Sequence, residues 1–282
     1  MGVNVEFYNE FFEEIKLRFY GATWIELQPF KIVAVKDDVY VNLLSVKSSF
    51  TPQQLISLQT LHAQSGILLV HLWEDVWEQK KSQVLSRINS FCGLNQTLHA
   101  RQAKILPVDA AQARDFLTLH HLQGFSKVKH HLGLTMGGEL KALACFASSR
   151  PMKSKGAHYK SAELVRFATQ SGFTLVGGLS KLIKSFLQEI NANDLMTYAD
   201  RDWSVGKGYD KLGFQLTAAT APVEFTVDTS AMTRYYTHRL PKKILTNFEA
   251  QNVLNLDEFL AQNGFVKTFN TGNLKYHLYT NV

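Results

Sequence analysis

The stretch that most constrains the fold is residues 195–214, LMTYADRDWSVGKGYDKLGF. A short apolar segment ends in Tyr-Ala-Asp, passes through a polar loop with Gly206 and Gly208, and enters a segment that closes on Gly213-Phe214. This order of apolar run, glycine-bearing loop and helical spacing predicts a strand followed by a helix. In α/β sheets such connections border the ligand cleft. The segment therefore predicts an α/β protein with a ligand site beside this loop.

Composition indicates a globular chain with a core. The 282 residues are 45% apolar and 19% charged, which suits one large or two ordinary domains. No apolar run reaches the roughly 18–20 residues of a membrane span, and the first residues do not resemble a secretory signal. Cys92 and Cys145 are too few for a disulfide framework. We therefore expect a cytoplasmic protein without a membrane partner, and predict no oligomeric state.

The net charge of +6 favours an anionic partner. DNA or another nucleic acid fits this charge, and so does the phosphorylated end of coenzyme A. The pairs His120-His121 and His130-His131 could suggest zinc, but adjacent side chains on a regular element cannot both face one ion. No metal is expected, and these histidines are predicted to lie on the surface or in a cleft.

Periodicity predicts secondary structure along the whole chain. In the N-terminal part the predicted elements are a helix over 4–19, strands over 31–37 and 39–46 joined at Asp37-Asp38, a helix from Thr51-Pro52 to about 64, a strand over 67–73 and a helix over 74–91. Further along they are a helix over 108–123, a strand–turn–strand over 131–149, a strand over 161–169, a helix over 178–190 and a strand over 195–200. The last elements are an apolar strand over 214–227 interrupted at Pro222, a helix over 256–262, and a hairpin over 263–279 turning at 271–273.

One further loop has the residues of an anion site. Gly177-Gly178 precedes the predicted helix, and Ser180 and Lys181 lie in its first turn. Amide groups in a first turn lack intrahelical partners, and the helix dipole favours negative charge there. A tight turn without a ligand explains the same residues, and both interpretations stay open.

Together these motifs resemble the GNAT (N-acyltransferase) family over roughly residues 105–240. The resemblance implies an acyl-CoA such as acetyl-CoA, with its pyrophosphate on the loop and its pantetheine arm along the strand before it. The implied cofactor-binding residues are Phe167, Ala168, Thr169, Val176, Gly177, Gly178, Leu179, Ser180 and Lys181. It also implies that Tyr209 protonates the departing thiolate. Leu179 is bulkier than the residue usual at its position, so its side chain is expected to narrow the site.

The strand over 161–169 carries a candidate for the general base of such a reaction. Glu163 and Arg166 are separated by an odd number of positions, so they are predicted to point to opposite faces of the sheet. Only one can then face the substrate, and Glu163 is the better candidate for the base.

A second resemblance, to phage and mobile-element proteins of the homing-endonuclease type, covers about residues 60–282. It is carried by HLWEDVWEQKKSQVLSRI, ELVRFATQSGFTLVGGLSKL, YADRDWSVGKGYDKLGF, TRYYTHRLPKK and NGFVKTFNTGNLKYHLY. It implies three parts: a degenerate endonuclease-like α/β domain over 1–102, a GNAT-like domain over 103–240 and a C-terminal helix plus β-hairpin over 241–282. Ser45 stands where a metal-dependent nuclease needs a second carboxylate beside Asp37 and Asp38.

Two groups of residues are candidates for contacting substrate or nucleic acid. Arg201, Asp202 and Trp203 follow a predicted strand. They could form a wall of the ligand cleft, or they could be a loop salt bridge beside a packed Trp203 indole, and the sequence favours neither. Arg234, Tyr236 and Arg239 lie in a basic, aromatic segment. This segment could bind nucleic acid, or it could be a solvated strand end without a partner, and the sequence favours neither.

The leading prediction is an acyl-CoA-dependent N-acyltransferase-like protein of phage or mobile-element descent, acting on or near nucleic acid. The alternatives are a non-catalytic DNA-binding module with decayed active sites and a residual metal-dependent DNA endonuclease.

Overall fold

The computed structural model describes residues 5–251 and 255–280, which form an α/β protein with mixed sheets. The predicted α/β class is confirmed. The helices are α1 (Val5–Lys16), α2 (Pro52–Gln64), α3 (Glu74–Phe91), α4 (Ala110–His120), α5 (Gly178–Glu189), α6 (Lys207–Asp210), α7 (Lys242–Ala250) and α8 (Leu256–Gln262). The strands are β1 (Thr23–Leu27), β2 (Phe30–Lys36), β3 (Val39–Leu44), β4 (Leu68–Trp73), β5 (Gln96–His99), β6 (Lys104–Pro107), β7 (His130–Met136), β8 (Glu139–Pro151), β9 (Lys160–Thr169), β10 (Phe173–Val176), β11 (Asp194–Asp200), β12 (Gln215–Ala219), β13 (Glu224–Asp228), β14 (Thr233–Tyr236), β15 (Phe265–Phe269) and β16 (Asn273–Tyr279).

The chain divides into two compact units, and each is built from separate stretches of sequence. The first unit comprises Met1–Lys81, Asp200–Val205 and Ala221–Asn273. The second unit comprises Ser82–Ala199, Gly206–Thr220 and Leu274–Val282. This spatial division differs from the three contiguous ranges expected from the sequence, whose assignment as domains stays a prediction. Residue 4, where the first helix was expected to begin, lies outside the described residues.

The first unit contains a four-stranded sheet in the order β1-β2-β3-β4. β1, β2 and β3 pair antiparallel, and β4 pairs parallel to β3 after the crossover helix α2. Thr51 and Gln54 form a capping box at the start of α2, and Pro52 occupies its first turn, as the local sequence predicts. A separate three-stranded sheet has the order β14-β13-β15.

The second unit contains a seven-stranded sheet in the order β12-β16-β11-β9-β8-β7-β6. β7, β8 and β9 pair antiparallel, and β11 pairs parallel to β9 after a crossover that includes α5. Phe146, Leu164 and Phe186 belong to the core on the α5 side, and Phe116, Leu143 and Cys145 belong to the core on the α4 side. The sheet is therefore covered on both faces.

Both units repeat one arrangement of strands: two antiparallel pairings, a crossover helix, and a parallel pairing. The parallel pairs differ in length. β3 and β4 stay paired through Leu44 and Trp73, the last residue of each strand. β9 and β11 pair only from Ser161 to Leu164 and from Asp194 to Thr197. An opening between parallel strands is thus a feature of the second unit.

Two predictions near the C-terminus need correction. The interruption expected at Pro222 is present between β12 and β13, but the two pieces are not one strand, because β12 lies in the seven-stranded sheet and β13 in the three-stranded sheet. The predicted hairpin turning at 271–273 does not form, since β15 pairs with β13 and β16 lies between β12 and β11. In both cases the turn residues were recognised, but the chain passes through them from one unit to the other.

Candidate functional site

The candidate site lies at the fork where β9 and β11 separate in the second unit. Leu164 and Thr197 are the last paired residues of the two strands. The Thr197 hydroxyl donates to the Leu164 carbonyl at 2.9 Å, which closes the end of the paired region. Beyond this point the two strands no longer pair with each other, which leaves an opening between them.

A bulge in β9 sets which side chains face which side of the fork. Cys145 pairs with Arg166 and Phe146 pairs with Leu164, which leaves Val165 as an extra residue. Such a bulge reverses the alternation of side chains along its strand. Leu164 accordingly joins the core on the α5 side, whereas Arg166 pairs with a residue of the α4-side core.

The bulge also corrects the expected orientation of Glu163. Ala147, the neighbour of Phe146 in β8, pairs with Glu163. Both therefore lie on the face opposite Phe146, the α4 face, which is also the face of Arg166. The prediction that Glu163 and Arg166 point to opposite faces was wrong, because counting positions assumes a regular strand.

Tyr209 lies directly at the fork. Its hydroxyl is 3.5 Å from the Thr197 hydroxyl, and its ring contacts Phe214 and Tyr276 with centroids 5.4 and 5.5 Å away. The one-turn helix α6 carries it, and Gly206 starts that helix in the left-handed conformation at φ +82°. A Cβ on Gly206 would overlap the Tyr276 hydroxyl. The glycine thus allows the close approach that fixes Tyr209.

The first turn of α5 forms a second feature of the site. Gly177 has φ +75° and precedes the helix without a side-chain cap. The amides of Gly178, Leu179 and Ser180 belong to the first turn, which has no intrahelical acceptors. Ser180 is exposed. These groups and the helix dipole favour an anion at this end.

Lys181 lies in the first turn of α5 as predicted, but its ammonium bonds to backbone carbonyls of the same unit. Its ammonium donates to the carbonyls of Ala100 and Ala103, at 2.9 and 2.6 Å. These bonds tie α5 to the turn before β6. The charge contributes to the potential near the helix start, but its hydrogen bonds are structural.

A cleft of about 360 Å³ runs beside α5. It is lined by Ser180, Ile183, Lys184, Leu187, Gln188, Leu212 and Leu278. Leu179 packs against the core cluster instead, and it is not among these lining residues of the described chain. The expected narrowing of the coenzyme A site by Leu179 stays a prediction.

The remaining predicted cofactor residues are divided between the two sides of the sheet. Phe167 packs against the α5-side core, and Ala168 belongs to the α4-side core. Thr169 donates to the Phe173 carbonyl at 3.1 Å, so it stabilises the turn into β10. Val176 is half exposed at the end of β10. Phe167 is thus the member of the β9 group on the cleft side.

Arg201, Asp202 and Trp203 lie within the first unit. The Asp202 carboxylate is buried and accepts from the amide and the hydroxyl of Thr271, at 2.9 and 2.6 Å. Burial raises its pKa, while the Thr271 bonds and Arg234 act in the opposite direction. Trp203 is buried as well, and the Arg201 carbonyl accepts from Gln59 at 2.6 Å. Asp202 and Trp203 therefore have contacts typical of structural residues.

The basic run in the first unit is also divided. Arg234 forms a two-pronged ion pair with buried Asp75, with distances of 2.7 and 2.8 Å, and its guanidinium lies over the Phe225 ring. Tyr236 and Arg239 are exposed. The structure thus assigns Arg234 to the interior of its unit and leaves Tyr236 and Arg239 at the surface.

The sequence does not predict a site role for two basic residues of the second unit, Arg87 on α3 and His121 at the end of α4. Nothing in their local pattern distinguishes Arg87 from other exposed helix cations. His121 was noticed only as part of a histidine pair. His121 is connected to Arg166 through Gly124, whose carbonyl accepts from Arg166 and whose amide donates to the His121 carbonyl.

Residues 5–251 and 255–280 contain neither a metal site nor a membrane-spanning helix. Among them, no group of three or more His, Cys, Asp or Glu side chains is arranged to hold a metal ion. None of their helices is long and apolar enough to cross a membrane.

No protein-family model and no curated protein match the chain. Among solved structures, a Bacillus subtilis acetyltransferase in complex with CoA is 14% identical with a TM-score of 0.38, covering 63% of this chain and 99% of that one. A GNAT family acetyltransferase from Elizabethkingia anophelis with acetyl-CoA bound is 15% identical with a TM-score of 0.37, covering 64% and 99%.

FeeM, an N-acyl amino acid synthase from uncultured soil microbes, is 13% identical with a TM-score of 0.31. That match covers 72% of this chain and 91% of the synthase.

Proposed function

We propose that the second unit is a GNAT-like N-acyltransferase that uses an acyl-CoA. The observation that carries this proposal is the fork between β9 and β11, with the Tyr209 hydroxyl 3.5 Å from Thr197 at the point of separation. The fork, the first turn of α5 and the cleft beside α5 are parts of the same unit. They supply an opening, an anion site and an apolar groove for one elongated, phosphorylated ligand.

The residues present fit the two chemical ends of coenzyme A. The amides of Gly178, Leu179 and Ser180 would hold its pyrophosphate, and Lys184 adds a cation to the adjacent cleft. Leu187, Leu212 and Leu278 provide apolar surface along that cleft. When bound, acyl-CoA would supply an acyl thioester, whose C–S bond would break as the acceptor nitrogen forms a C–N bond.

The chain itself must then handle two protons. One must reach the departing sulfur, and Tyr209 holds a phenolic proton at the fork, where that acid is required. The other must leave the acceptor amine. Glu163 lies on the α4 face of β9 and is the candidate base. Leu164, on the α5 face, helps to exclude water from the closed end of the fork.

The comparison with the first unit also favours placing the site in the second unit. Its corresponding strands β3 and β4 remain paired to their ends, so the described part of that unit has no equivalent opening between them. Mobile-element descent and association with nucleic acid stay predictions from the sequence, as do the alternatives of a DNA-binding module and a residual nuclease.

Calorimetric titration with coenzyme A tests the proposal, with Ser180→Asp as the informative variant. An aspartate in the first turn stabilises a helix, so this variant should fold at least as well as the wild type. It should nevertheless weaken coenzyme A binding about tenfold or more, because the carboxylate repels the pyrophosphate. Ser148→Asp, on the exposed part of β8, is the matched control. No binding by the wild type at millimolar ligand contradicts the proposal.

A further inference from the structure

The hairpin that joins β8 to β9 carries a concentrated positive charge. Residues 150–160, RPMKSKGAHYK, contain no acidic residue and four basic ones: Arg150, Lys153, Lys155 and Lys160. This segment, residues 150–160, is the basic arm. It lies at the start of β9, whereas the fork opens beyond Leu164, and the proposed reaction gives it no role.

Backbone hydrogen bonds give the basic arm a defined shape. Pro151 pairs with Lys160 at its base. The Met152 amide donates to the Tyr159 carbonyl at 2.8 Å, and the Lys155 amide donates to the Met152 carbonyl at 2.8 Å. The positive charges are therefore presented by a hydrogen-bonded turn.

One buried carboxylate attaches the basic arm to the sheet. The Asp194 side chain, at the start of β11, is fully buried. It accepts from the Lys155 ammonium at 2.9 Å and from the Tyr159 hydroxyl at 2.6 Å. It also accepts from the Ser161 hydroxyl. The negative charge of Asp194 is thus paired with Lys155, and these bonds fix the position of the arm against β11.

The three other cations of the basic arm remain at the surface. Arg150, Lys153 and Lys160 are exposed, and none of them has a carboxylate partner among residues 5–251 and 255–280. Neighbouring unpaired cations attract a polyanion, and each phosphate that they neutralise releases a condensed counterion. The arm therefore favours a ligand that carries several negative charges.

Aromatic rings continue this surface along β16. Tyr279 is 47% exposed, and the Lys155 ammonium lies 5.8 Å from its ring centroid. Four residues away on the same face, the Lys275 ammonium lies 5.9 Å from the ring centroid of Tyr198, which is 38% exposed. Four residues of a strand span about 13 Å. The two rings are thus placed to contact different bases of one strand of nucleic acid.

This surface lies on the face of the sheet opposite the cleft. Leu278 lines the cleft, and Tyr276 belongs to the core on the α5 side. Side chains alternate along a strand, so Lys275, His277 and Tyr279 face the other way. The phosphates of a coenzyme A held at the first turn of α5 would therefore not occupy this surface.

The combination of cations with exposed rings distinguishes one polyanion from the others. An acidic peptide or an anionic membrane requires only the cations, and a duplex keeps its bases paired and stacked. A single strand offers both its phosphates and the faces of its bases, which stack on aromatic side chains whatever the sequence. We propose that the basic arm, together with Tyr198, Lys275 and Tyr279, binds single-stranded nucleic acid. This surface is separate from the site of the proposed acyl transfer.

Fluorescence anisotropy with a labelled oligothymidylate of about 12 nucleotides tests this proposal on the full chain. Four cations are available to phosphates: Arg150, Lys153, Lys160 and Lys275. The logarithm of the binding constant should therefore fall with the logarithm of the salt concentration with a slope of about −3, from about 0.7 per phosphate.

Lys153→Glu should weaken oligonucleotide binding about tenfold or more, because it replaces an unpaired cation with a carboxylate. Lys104→Glu is the matched control. It changes the net charge equally, but Lys104 is exposed on β6, at the opposite edge of the seven-stranded sheet from β12 and β16. This control should bind within about twofold of the wild type.

Tyr279→Leu tests the stacking, since it keeps an apolar side chain and removes the aromatic face. It should weaken binding about fivefold or more. Tyr20→Leu is the matched control, because Tyr20 is a fully exposed tyrosine of the first unit, and it should leave the affinity within about twofold.

No binding of the single strand, a salt slope near zero, or an affinity that Lys153→Glu or Tyr279→Leu leaves unchanged would overturn the proposal. An equal loss in Lys104→Glu would do the same, because net charge alone would then explain the binding. Equal affinity for a duplex, for polyglutamate or for phosphatidylserine vesicles would also overturn it, since the rings would then have no part in recognition.

Titrations with coenzyme A keep this surface and the proposed function apart. Saturating coenzyme A should leave the oligonucleotide affinity within about twofold, and Lys153→Glu should bind coenzyme A as the wild type does. Competition between the two ligands would place the oligonucleotide in the cleft and overturn the separate surface. Oligonucleotide binding in a protein that does not bind coenzyme A keeps the surface and overturns the acyltransferase.

Discussion

The hydroxyl of Tyr209 lies 3.5 Å from the hydroxyl of Thr197, the last residue of β11 that pairs with β9. Thr197 itself donates to the Leu164 carbonyl across that last pair. The phenol is thus held at the position where two parallel strands separate. A phenol at this position can donate a proton to a ligand that enters the opening between β9 and β11.

Tyr209→Phe should therefore lower kcat for acyl transfer about 100-fold, because it removes a general acid and keeps the ring. The ring contacts with Phe214 and Tyr276 remain, so the melting temperature and the affinity for coenzyme A should change little. Steady-state kinetics with calorimetry measure both. The control is Tyr279→Phe, which removes the hydroxyl of an exposed tyrosine at the C-terminal end of β16. An unchanged kcat in Tyr209→Phe would exclude Tyr209 as the acid.

Gly206→Ala should destabilise the protein by about 3 kcal/mol. The new Cβ would combine a left-handed backbone conformation with overlap on the Tyr276 side chain. Gly208→Ala is a close control, since Gly208 is in α6 and a Cβ added there would meet no neighbouring atom within 4 Å. It should be neutral or stabilising by about 0.5 kcal/mol. Urea unfolding measures both, and equal stabilities would contradict the packing of Gly206 on Tyr276.

Local signals in the sequence were sufficient for many elements. Thr51 and Pro52 start α2 as their capping preferences predict, and Asp109 caps α4 through the amides of Ala111 and Gln112. The turn at Asp37-Asp38 joins two antiparallel strands. In each case the deciding interaction lies within a few residues, so single-sequence reasoning can identify it.

Features set by distant contacts were missed. The extra residue Val165 changes the facing of Glu163 relative to Arg166, and only the pairing with β8 reveals it. The turn at 271–273 resembles a hairpin, but its flanking strands join different sheets. The sequence also did not predict that the two units share one order of strand pairing, because the units are similar in pairing and not in their residues.

Removing one partner of the ion pair between Arg234 and Asp75 should cost about 3 kcal/mol. The Asp75 side chain is 2% exposed and that of Arg234 19%, so the remaining charge would stay poorly hydrated. Arg234→Met tests this by urea unfolding. Lys267→Met, which removes an exposed pair with Asp257, should cost less than about 1 kcal/mol. Similar costs for the two variants would contradict a structural role for Arg234.

The free energy of unfolding should also decrease as the pH is lowered, because of His71. This histidine is fully buried in the first unit. Its ring lies 3.2 Å from the Asn42 amide and 3.1 Å from the Leu55 carbonyl, contacts that suit the neutral form. Burial lowers the pKa of His71 from 6.5 to about 4. Between these values the unfolded chain binds the proton more readily, so stability is complete above pH 6.5 and is lost as the pH falls towards 4.

The full loss attributable to His71 is about 3 kcal/mol, from roughly 2.5 pKa units at 1.36 kcal/mol each. Urea unfolding from pH 7 to pH 4 measures it as the difference between the wild type and His71→Gln. His71→Gln lowers stability at pH 7 but removes this titration, so its stability should decline less steeply as the pH falls. His121, whose pKa burial lowers to about 3, titrates in the same direction. His121→Gln and the double variant therefore isolate the contribution of His71, and parallel pH profiles for wild type and His71→Gln would show that His71 is not the group responsible.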